Sequence, residues 1–181
     1  MARRPEKPTK PTASASKPPT PCIAEQRLFP AIPPMAYLLV LVSVVIALYL
    51  NTFGHEYALD DYIVIKENRY TKKGFAGIKD LATRDMMQGF FGEDKQLLEG
   101  GRYRPLSLIT FAVEWELWGE SPHFSHVINV LLYAWLVGLL FQLWRLHLFP
   151  GRNELAFLAA LIFAIHPLHT EVVANIKSRD E

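Results

Sequence analysis

Two long runs of apolar residues dominate the pattern of this chain, and clusters of polar residues lie between and after them. The first run, residues 33–53, contains no charged residue, and about 20 apolar residues are enough to cross the hydrocarbon core of a bilayer. The second run, residues 124–149, is uncharged over residues 127–144, where its strongly polar residues are Asn129 and Gln142. Both runs predict membrane-spanning helices.

The first run lies close enough to the N-terminus to raise a second interpretation, that of a secretory signal peptide. A signal peptide begins with a short basic segment and ends at a cleavage site of small residues. Here more than 30 residues precede the run, and no convincing site of small residues precedes His55. An uncleaved membrane anchor is therefore the preferred interpretation.

A third apolar segment follows, but it is shorter than the other two. Residues 155–165 are apolar, and His166 and Pro167 then interrupt the pattern. The segment can cross a bilayer only if its helix continues, kinked, to about residue 176, because a polar helix end is tolerated where it lines a protein or water-filled cavity. We therefore predict about three spans, at residues 33–53, 124–149 and 155–176.

Basic residues are distributed unevenly around these spans, and Lys and Arg are enriched in cytoplasmic segments. The basic residues before the first span are Arg3, Arg4, Lys7, Lys10, Lys17 and Arg27. The turn between the second and third spans carries Arg145 and Arg152, whereas residues 51–123 have no Lys or Arg within their first or last fifteen positions. The N-terminus is therefore expected in the cytoplasm, and residues 54–123, called the outer loop below, on the opposite side.

Composition changes this picture mainly at the N-terminus. Residues 1–32 are rich in Pro, Lys, Ser and Thr and offer few side chains for a core, which predicts a disordered cytoplasmic tail. The formal net charge of +1 argues against nucleic-acid binding, which normally needs a concentrated basic face. The single cysteine, Cys22, lies in this tail, so the chain cannot form an internal disulfide.

The outer loop contains two predicted helical pieces. Residues 78–91 are weakly periodic, whereas Pro105–Trp118 begins with proline, a common first residue of a helix, and has apolar residues at helical spacing. Fourteen residues rise only about 21 Å, which is too short to cross a bilayer. Because this helix also carries Glu114 and Glu116, we expect it to lie along the membrane interface.

The pair Asp60-Asp61 follows the first span by about ten residues and is the first candidate for chemistry. Adjacent negative charges and partial burial raise the proton affinity of a carboxylate, which suits a general base. The alternative is a turn or a helix cap, both of which are common positions for aspartate.

Arg102 and Arg104 come directly before the predicted interfacial helix. Two guanidinium groups at the depth of the lipid headgroups can bind a phosphate or diphosphate through forked hydrogen bonds. The alternative is simple anchoring, in which long basic side chains extend to the membrane surface.

His166, His169 and Glu171 follow the third apolar segment. Histidines three residues apart near a carboxylate resemble a metal site, but a kinked helix end whose imidazoles bind substrate or a neighbouring loop is the preferred interpretation. No cofactor is predicted, and a divalent metal stays open without being indicated. His126 and Asn129, also three residues apart, are expected to face protein and to serve packing.

These motifs together resemble one family. The matching residues are Asp60-Asp61 with Ile65 and Asn68, Arg104-Pro105-Leu106 with Thr110-Phe111, the run from His126 to Leu132, and His166-Pro167-Leu168-His169-Thr170-Glu171. Their order and spacing are similar to those of the transmembrane, tetratricopeptide-repeat-containing O-mannosyltransferases, within the superfamily of polyprenyl-phosphate-sugar-dependent membrane glycosyltransferases. The resemblance covers about residues 55–181.

The resemblance implies an all-α membrane enzyme of the bacterial inner membrane or the endoplasmic reticulum, with residues 33–181 as the N-terminal part of its glycosyltransferase domain. Such an enzyme moves a sugar, typically mannose, from a polyprenyl-phosphate carrier to a hydroxyl of a protein or glycan acceptor on the outer or lumenal face. The catalytic carboxylate of the superfamily maps onto Asp60 or Asp61. The family has more spans and a helical repeat array, so we expect a truncated chain that is inactive alone.

Two interpretations from other functional classes stay open at this stage. The first is a membrane-anchored interaction or assembly subunit that uses the outer loop as a binding module. The second is a fragment of a proton-coupled transporter that uses the His and Asp residues at the membrane edge. A gene that continues through many further spans favours the transferase.

Overall fold

A computed structural model describes residues 32–85, 88–92 and 103–181 of the chain. The predicted tail, apart from Ile32, and Arg102 lie outside the described residues. The described part consists of helices and connecting segments, without a β-strand. The predicted all-α membrane fold is therefore confirmed for this part of the chain.

The helices are of α, 3-10 and π type. The α-helices are α1 (Pro34–Tyr49), α2 (Ile78–Thr83), α3 (Gln88–Phe91), α4 (Pro105–Trp118), α5 (Pro122–Leu143), α6 (Asn153–Ala164) and α7 (His169–Ala174). The 3-10 segments are Leu50–Gly54, Thr71–Gly77 and Ile176–Asp180, and the π-helical segments are Tyr62–Lys66 and Trp144–Leu148.

Three apolar helices, α1, α5 and α6, pack together as a bundle. Its buried core is formed by Tyr37, Leu41, Val45, Tyr49, Val130, Tyr133, Ala134, Val137, Phe141, Ala156, Ala160, Ala164 and Val173. Two continuous helical stretches, Pro34–Gly54 with 21 residues and Pro122–Leu148 with 27, are long and apolar enough to cross a membrane. These stretches agree with the first two predicted spans.

The third predicted span differs from the prediction of one kinked helix over 155–176. Helix α6 has 12 residues and ends at Ala164, because Pro167 lacks an N–H and disfavours helical geometry in the residue before it. The hydroxyl of Tyr133 lies 3.2 Å from the carbonyl of Ala164 and donates to this helix end. Ala156, Ala160 and Ala164 are fully buried at a spacing of four residues, which lets neighbouring helices approach closely.

The outer loop folds into a second layer around its own core. That core consists of Tyr57, Val64, Ile65, Tyr70, Leu81, Leu108, Phe111, Ala112 and Ile176. Helix α4 has the predicted bounds and stops before Gly119, whose φ of 66° suits glycine. The single helix predicted for residues 78–91 is instead two short helices, α2 and α3.

The last described segment connects the two layers. Val173 of α7 lies in the bundle core, whereas Ile176 of the final 3-10 segment lies in the outer-loop core. The charged residues that follow Ile176 are therefore held against the outer loop. This connection brings together residues that are far apart in the sequence.

Candidate functional site

The acidic pair lies in a tight turn directly before the π-helical segment Tyr62–Lys66. Asp61 is 1% exposed, and its carboxylate accepts two backbone hydrogen bonds, at 3.0 Å from the amide of Ala58 and at 2.8 Å from the amide of Lys177. The second bond joins positions that are 116 residues apart. Asp61 therefore attaches the outer loop to the final 3-10 segment.

Asp60 has the opposite environment. Its side chain is 55% exposed, and one carboxylate oxygen lies 3.3 Å from the ammonium of Lys177, whose side chain is only 14% exposed. More than half of this side chain is therefore accessible to solvent. Of the two acids, Asp60 is the one with the access that a general base needs.

The ionised form of Asp61 is disfavoured by its burial. Burial raises the pKa of the Asp61 carboxyl above its ordinary value, and the two backbone amides oppose this rise without cancelling it; the neighbouring Asp60 adds to the rise. An inaccessible carboxylate that is held by two amides is suited to fixing the turn. The acidic pair thus divides into one exposed group and one structural group.

Arg104 lies at the start of α4 and faces the end of the described chain. One of its terminal nitrogens lies 2.7 Å from a carboxylate oxygen of Asp180, 3.3 Å from the Asp180 carbonyl and 3.8 Å from a carboxylate oxygen of Glu181. The Asp180 side chain is 6% exposed, and its second carboxylate oxygen is buried without a hydrogen-bond partner. The charge of Arg104 is therefore balanced by carboxylates in the structure.

A cavity of about 650 Å³ opens beside Arg104, between α4, α5 and the final 3-10 segment. Its lining residues are Arg104, Pro105, Leu106, Ser107, Thr110, Leu132, Arg179 and Asp180. The cavity thus combines charged groups with apolar side chains. A mostly apolar lining with a few polar groups is typical of a small-molecule site.

Arg179 is the most extensively bonded side chain at this end of the molecule. It forms a fork with the carboxylate of Glu114, and the exposures of the two side chains are 6% and 8%. It also donates to Asn129 at 2.7 Å and to Thr110 at 2.8 Å, and to the carbonyl of Ser125 at 3.3 Å. Arg179 therefore joins α4, α5 and the final segment.

The predicted histidine and glutamate residues lie elsewhere, beside the bundle. The ring of His169 packs 4.3 Å from Phe163 and 5.5 Å from Tyr133, between ring centroids. His166 is exposed and accepts a hydrogen bond from the Leu168 amide, and Glu171 is exposed. The contacts of these residues do not include Asp60 or Asp61.

His126 and Asn129 face protein, as predicted. They are 1% and 5% exposed, and the ring of His126 lies 6.0 Å from that of His55. Asn129 does more than pack, because it accepts from Arg179 and donates to the carbonyl of Asn175 at 3.3 Å. Within residues 32–85, 88–92 and 103–181, no group of three or more His, Cys, Asp or Glu side chains is arranged to hold a metal ion.

Sequence reasoning missed Lys177, Arg179 and Asp180 as parts of the site. Their pattern is a run of charges directly after an apolar segment, which indicates a surface and not a set of long-range pairs. Glu114 was recognised, but as a mark of an interfacial helix. An acid on the face of a helix that packs against protein needs a cationic partner there, because an unpaired buried charge is strongly destabilising.

Comparison with curated proteins places this chain in a family. The chain is 34% identical over 140 residues to the human protein O-mannosyl-transferase TMTC2, and this match covers 74% of this chain and 15% of the relative. It is also 31% identical over 147 residues to the Caenorhabditis elegans protein O-mannosyl-transferase F38B6.6, and this match covers 80% of this chain and 20% of the relative. The chain belongs to the TMTC family of protein O-mannosyl-transferases.

Another member, the human TMTC1, is 40% identical over 77 residues, which is 42% of this chain and 9% of that relative. The family resemblance drawn from the motifs is thereby confirmed. This chain spans about a fifth or less of the length of these relatives. No family model and no solved structure matches the chain.

Proposed function

We propose that the whole protein transfers mannose from a polyprenyl-phosphate carrier to a hydroxyl of a protein acceptor, with Asp60 as the general base. The relatives are named protein O-mannosyl-transferases, which supports mannosyl transfer to protein. The catalytic assignment rests on the exposed carboxylate of Asp60, which pairs with the ammonium of Lys177. The turn that carries Asp60 is fixed by the buried carboxylate of Asp61, which accepts from the Lys177 amide. The interaction-subunit and transporter alternatives give no reason for this pairing of an exposed and a buried acid.

The proposed reaction is a single displacement. The acceptor oxygen attacks the anomeric carbon, the bond from that carbon to the phosphate oxygen breaks, and the polyprenyl phosphate leaves with the electron pair. The acceptor proton goes to the Asp60 carboxylate. A phosphate departs without a proton from an acid, so one carboxylate at the site is enough. General-base help of this kind contributes on the order of 10²–10⁴ in rate.

The cavity beside Arg104 is the proposed site for the carrier. Its apolar residues, Leu106 and Leu132 among them, suit the start of the polyprenyl chain, and Arg104 suits the phosphate. In the structure Arg104 is paired with Asp180. Carrier phosphate would therefore compete with Asp180 for the guanidinium, whose forked geometry suits a phosphate as well as a carboxylate.

The proposed location is the membrane of the endoplasmic reticulum, with the site on the lumenal face and the N-terminus in the cytoplasm. The asymmetry of Lys and Arg around the spans supports this orientation. Asp60 pairs with Lys177 and Arg104 pairs with Asp180, so the final 3-10 segment contacts both proposed site residues. A carrier whose headgroup reaches that segment would place its sugar near Asp60.

The donor is tested with the full-length protein reconstituted in lipid nanodiscs. Polyprenyl-phosphate mannose and GDP-mannose, each labelled in the sugar, are offered in parallel with a pooled library of peptides that contain Ser and Thr. We expect label to reach peptide from the lipid-linked donor and not from the nucleotide sugar. Transfer from the nucleotide sugar alone would contradict the proposed donor.

The carrier site is tested with Arg104→Lys, which keeps the charge and removes the fork. The loss of one charge-assisted hydrogen bond should raise the KM for the lipid donor by about tenfold. Arg145→Lys is the matched control, because Arg145 bonds Gln142 at 3.1 Å near the end of α5 and should keep the wild-type KM. Equal KM values for the two variants would show that the cavity does not hold the carrier phosphate.

A further inference from the structure

Lys177 contacts both members of the acidic pair, with different parts of the residue. Its backbone amide donates to Asp61 at 2.8 Å, and its ammonium lies 3.3 Å from Asp60. The main-chain hydrogen bond fixes the position of the Lys177 backbone, and the burial of the side chain restricts the positions that the ammonium can occupy. The position of the ammonium relative to Asp60 is therefore set by Asp61.

The ion pair between Lys177 and Asp60 contributes little to stability. Asp60 is more than half exposed, and ion pairs of exposed groups are weakened by water and by the entropy of holding two side chains. Burying most of a lysine side chain for so weak an interaction has no evident structural benefit. The geometry instead restricts the carboxylate to one orientation while leaving its outer face open.

The other charged groups around this turn have partners of their own. Within the final 3-10 segment, Arg179 pairs with Glu114 and Asp180 with Arg104. Asp61 lies on the same turn as Asp60 and repels it. Lys177 is thus the cation that the segment presents to the proposed base.

We infer that Lys177 is a positioning residue for the reaction, holding the Asp60 carboxylate in one orientation, toward the acceptor hydroxyl. This inference rests on the proposed function, because it assigns a role relative to the proposed base. No part of Lys177 contacts the transferred sugar in this account. Its contribution is therefore to the rate of transfer and not to donor affinity.

The test uses two substitutions in the full-length protein in nanodiscs, with polyprenyl-phosphate mannose and the pooled peptide library. Lys177→Met keeps the length of the side chain and removes its charge, and it should lower kcat by about 10- to 100-fold with donor KM within about twofold of wild type. Lys177→Arg restores the charge and should recover kcat to within about threefold. The matched control is Lys66→Met, which removes a loop lysine paired with Glu120 at 2.8 Å and should keep wild-type kinetics.

Hydrogen exchange at the amide of residue 177 separates positioning from folding. Protection of this amide should be unchanged in Lys177→Met, because its bond to Asp61 is made by the main chain. A wild-type kcat for Lys177→Met would overturn the inference. An equal loss in the Met and Arg variants, accompanied by lost protection, would also overturn it, since the lysine would then be needed only for folding.

The proposed function can fail separately from this inference. If Asp60→Asn keeps wild-type transfer, the assignment of Asp60 as the base is wrong and the inference about Lys177 is overturned with it. If Asp60→Asn is inactive and Lys177→Met is fully active, the proposed base stands and the inference about Lys177 alone is wrong.

Discussion

Removing Arg179 should destabilise the contact between the outer loop and the bundle more than any other single change at this end. Arg179→Met leaves the Glu114 carboxylate buried without its cation, and both side chains are less than a tenth exposed. Breaking a buried pair by removing one partner costs about 3–5 kcal/mol. Asn129 and Thr110 also lose their hydrogen bonds from the guanidinium, which supports the upper part of this range.

Hydrogen–deuterium exchange of the full-length protein in nanodiscs measures this change locally. A loss of 3–5 kcal/mol corresponds to exchange that is faster by roughly 10²- to 4 × 10³-fold, since each 1.4 kcal/mol is a factor of ten. The increase should appear in peptides from α4 and from the final 3-10 segment. Peptides from the middle of α1 should be unaffected.

Two further variants make the experiment specific. Arg145→Met is the matched control, because Arg145 bonds only Gln142 in the described residues, and exchange in α4 should stay within about threefold of wild type. Adding Glu114→Gln to Arg179→Met removes the unpaired charge and should recover much of the lost protection. The reasoning is refuted if Arg179→Met alone leaves exchange in α4 unchanged, or if the second substitution makes exchange faster.

Three other predictions concern the turn, the topology and one glycine. Burial raises the pKa of Asp61 above its ordinary value of 3.8, so the folded turn binds a proton more tightly than the unfolded chain does. The stability of the turn should therefore fall as pH rises from 3.8 through the raised pKa. Hydrogen exchange corrected for intrinsic rates measures this dependence, which should vanish in Asp61→Asn. A cysteine placed at Gly92 should react with an impermeant reagent added to the lumenal side, whereas Cys22 should be spared, and the reverse labelling would contradict the orientation. Gly74 has a φ of +57°, and a Cβ there would also meet the carboxylate of Glu116, so Gly74→Ala should lower the free energy of unfolding by about 1–2 kcal/mol. Gly54→Ala, where a Cβ meets nothing within 4 Å, should change the free energy of unfolding less in the same denaturant titration.

The parts of the fold that could be predicted are those with local signals. Helix α4 begins at Pro105 and ends before Gly119, and both residues act within a few positions of the boundary they set. The third span was predicted less well. Pro167 leaves carbonyls of the preceding turn without their helical hydrogen bond, and whether the helix ends there depends on whether neighbouring groups donate to those carbonyls. Here Tyr133, from a different helix, does so, and the helix stops.

The candidate site was predicted only in part, for a related reason. Asp60 and Asp61 were identified as a pair, but their different burial follows from a bond to Lys177, which is 116 residues from Asp61. Arg104 was identified without its partner, Asp180. Pairings at such separations leave no periodic trace in the sequence, so they become visible only when the final segment folds back onto the outer loop.

The central claim is tested most directly by Asp60→Asn in the full-length protein. The substitution keeps the size of the side chain and removes its basicity, so single-turnover transfer from polyprenyl-phosphate mannose should fall by about 10²–10⁴. Binding of the same donor, measured in parallel, should stay within about twofold of wild type. Transfer at the wild-type rate by Asp60→Asn, with donor binding intact, would contradict the account.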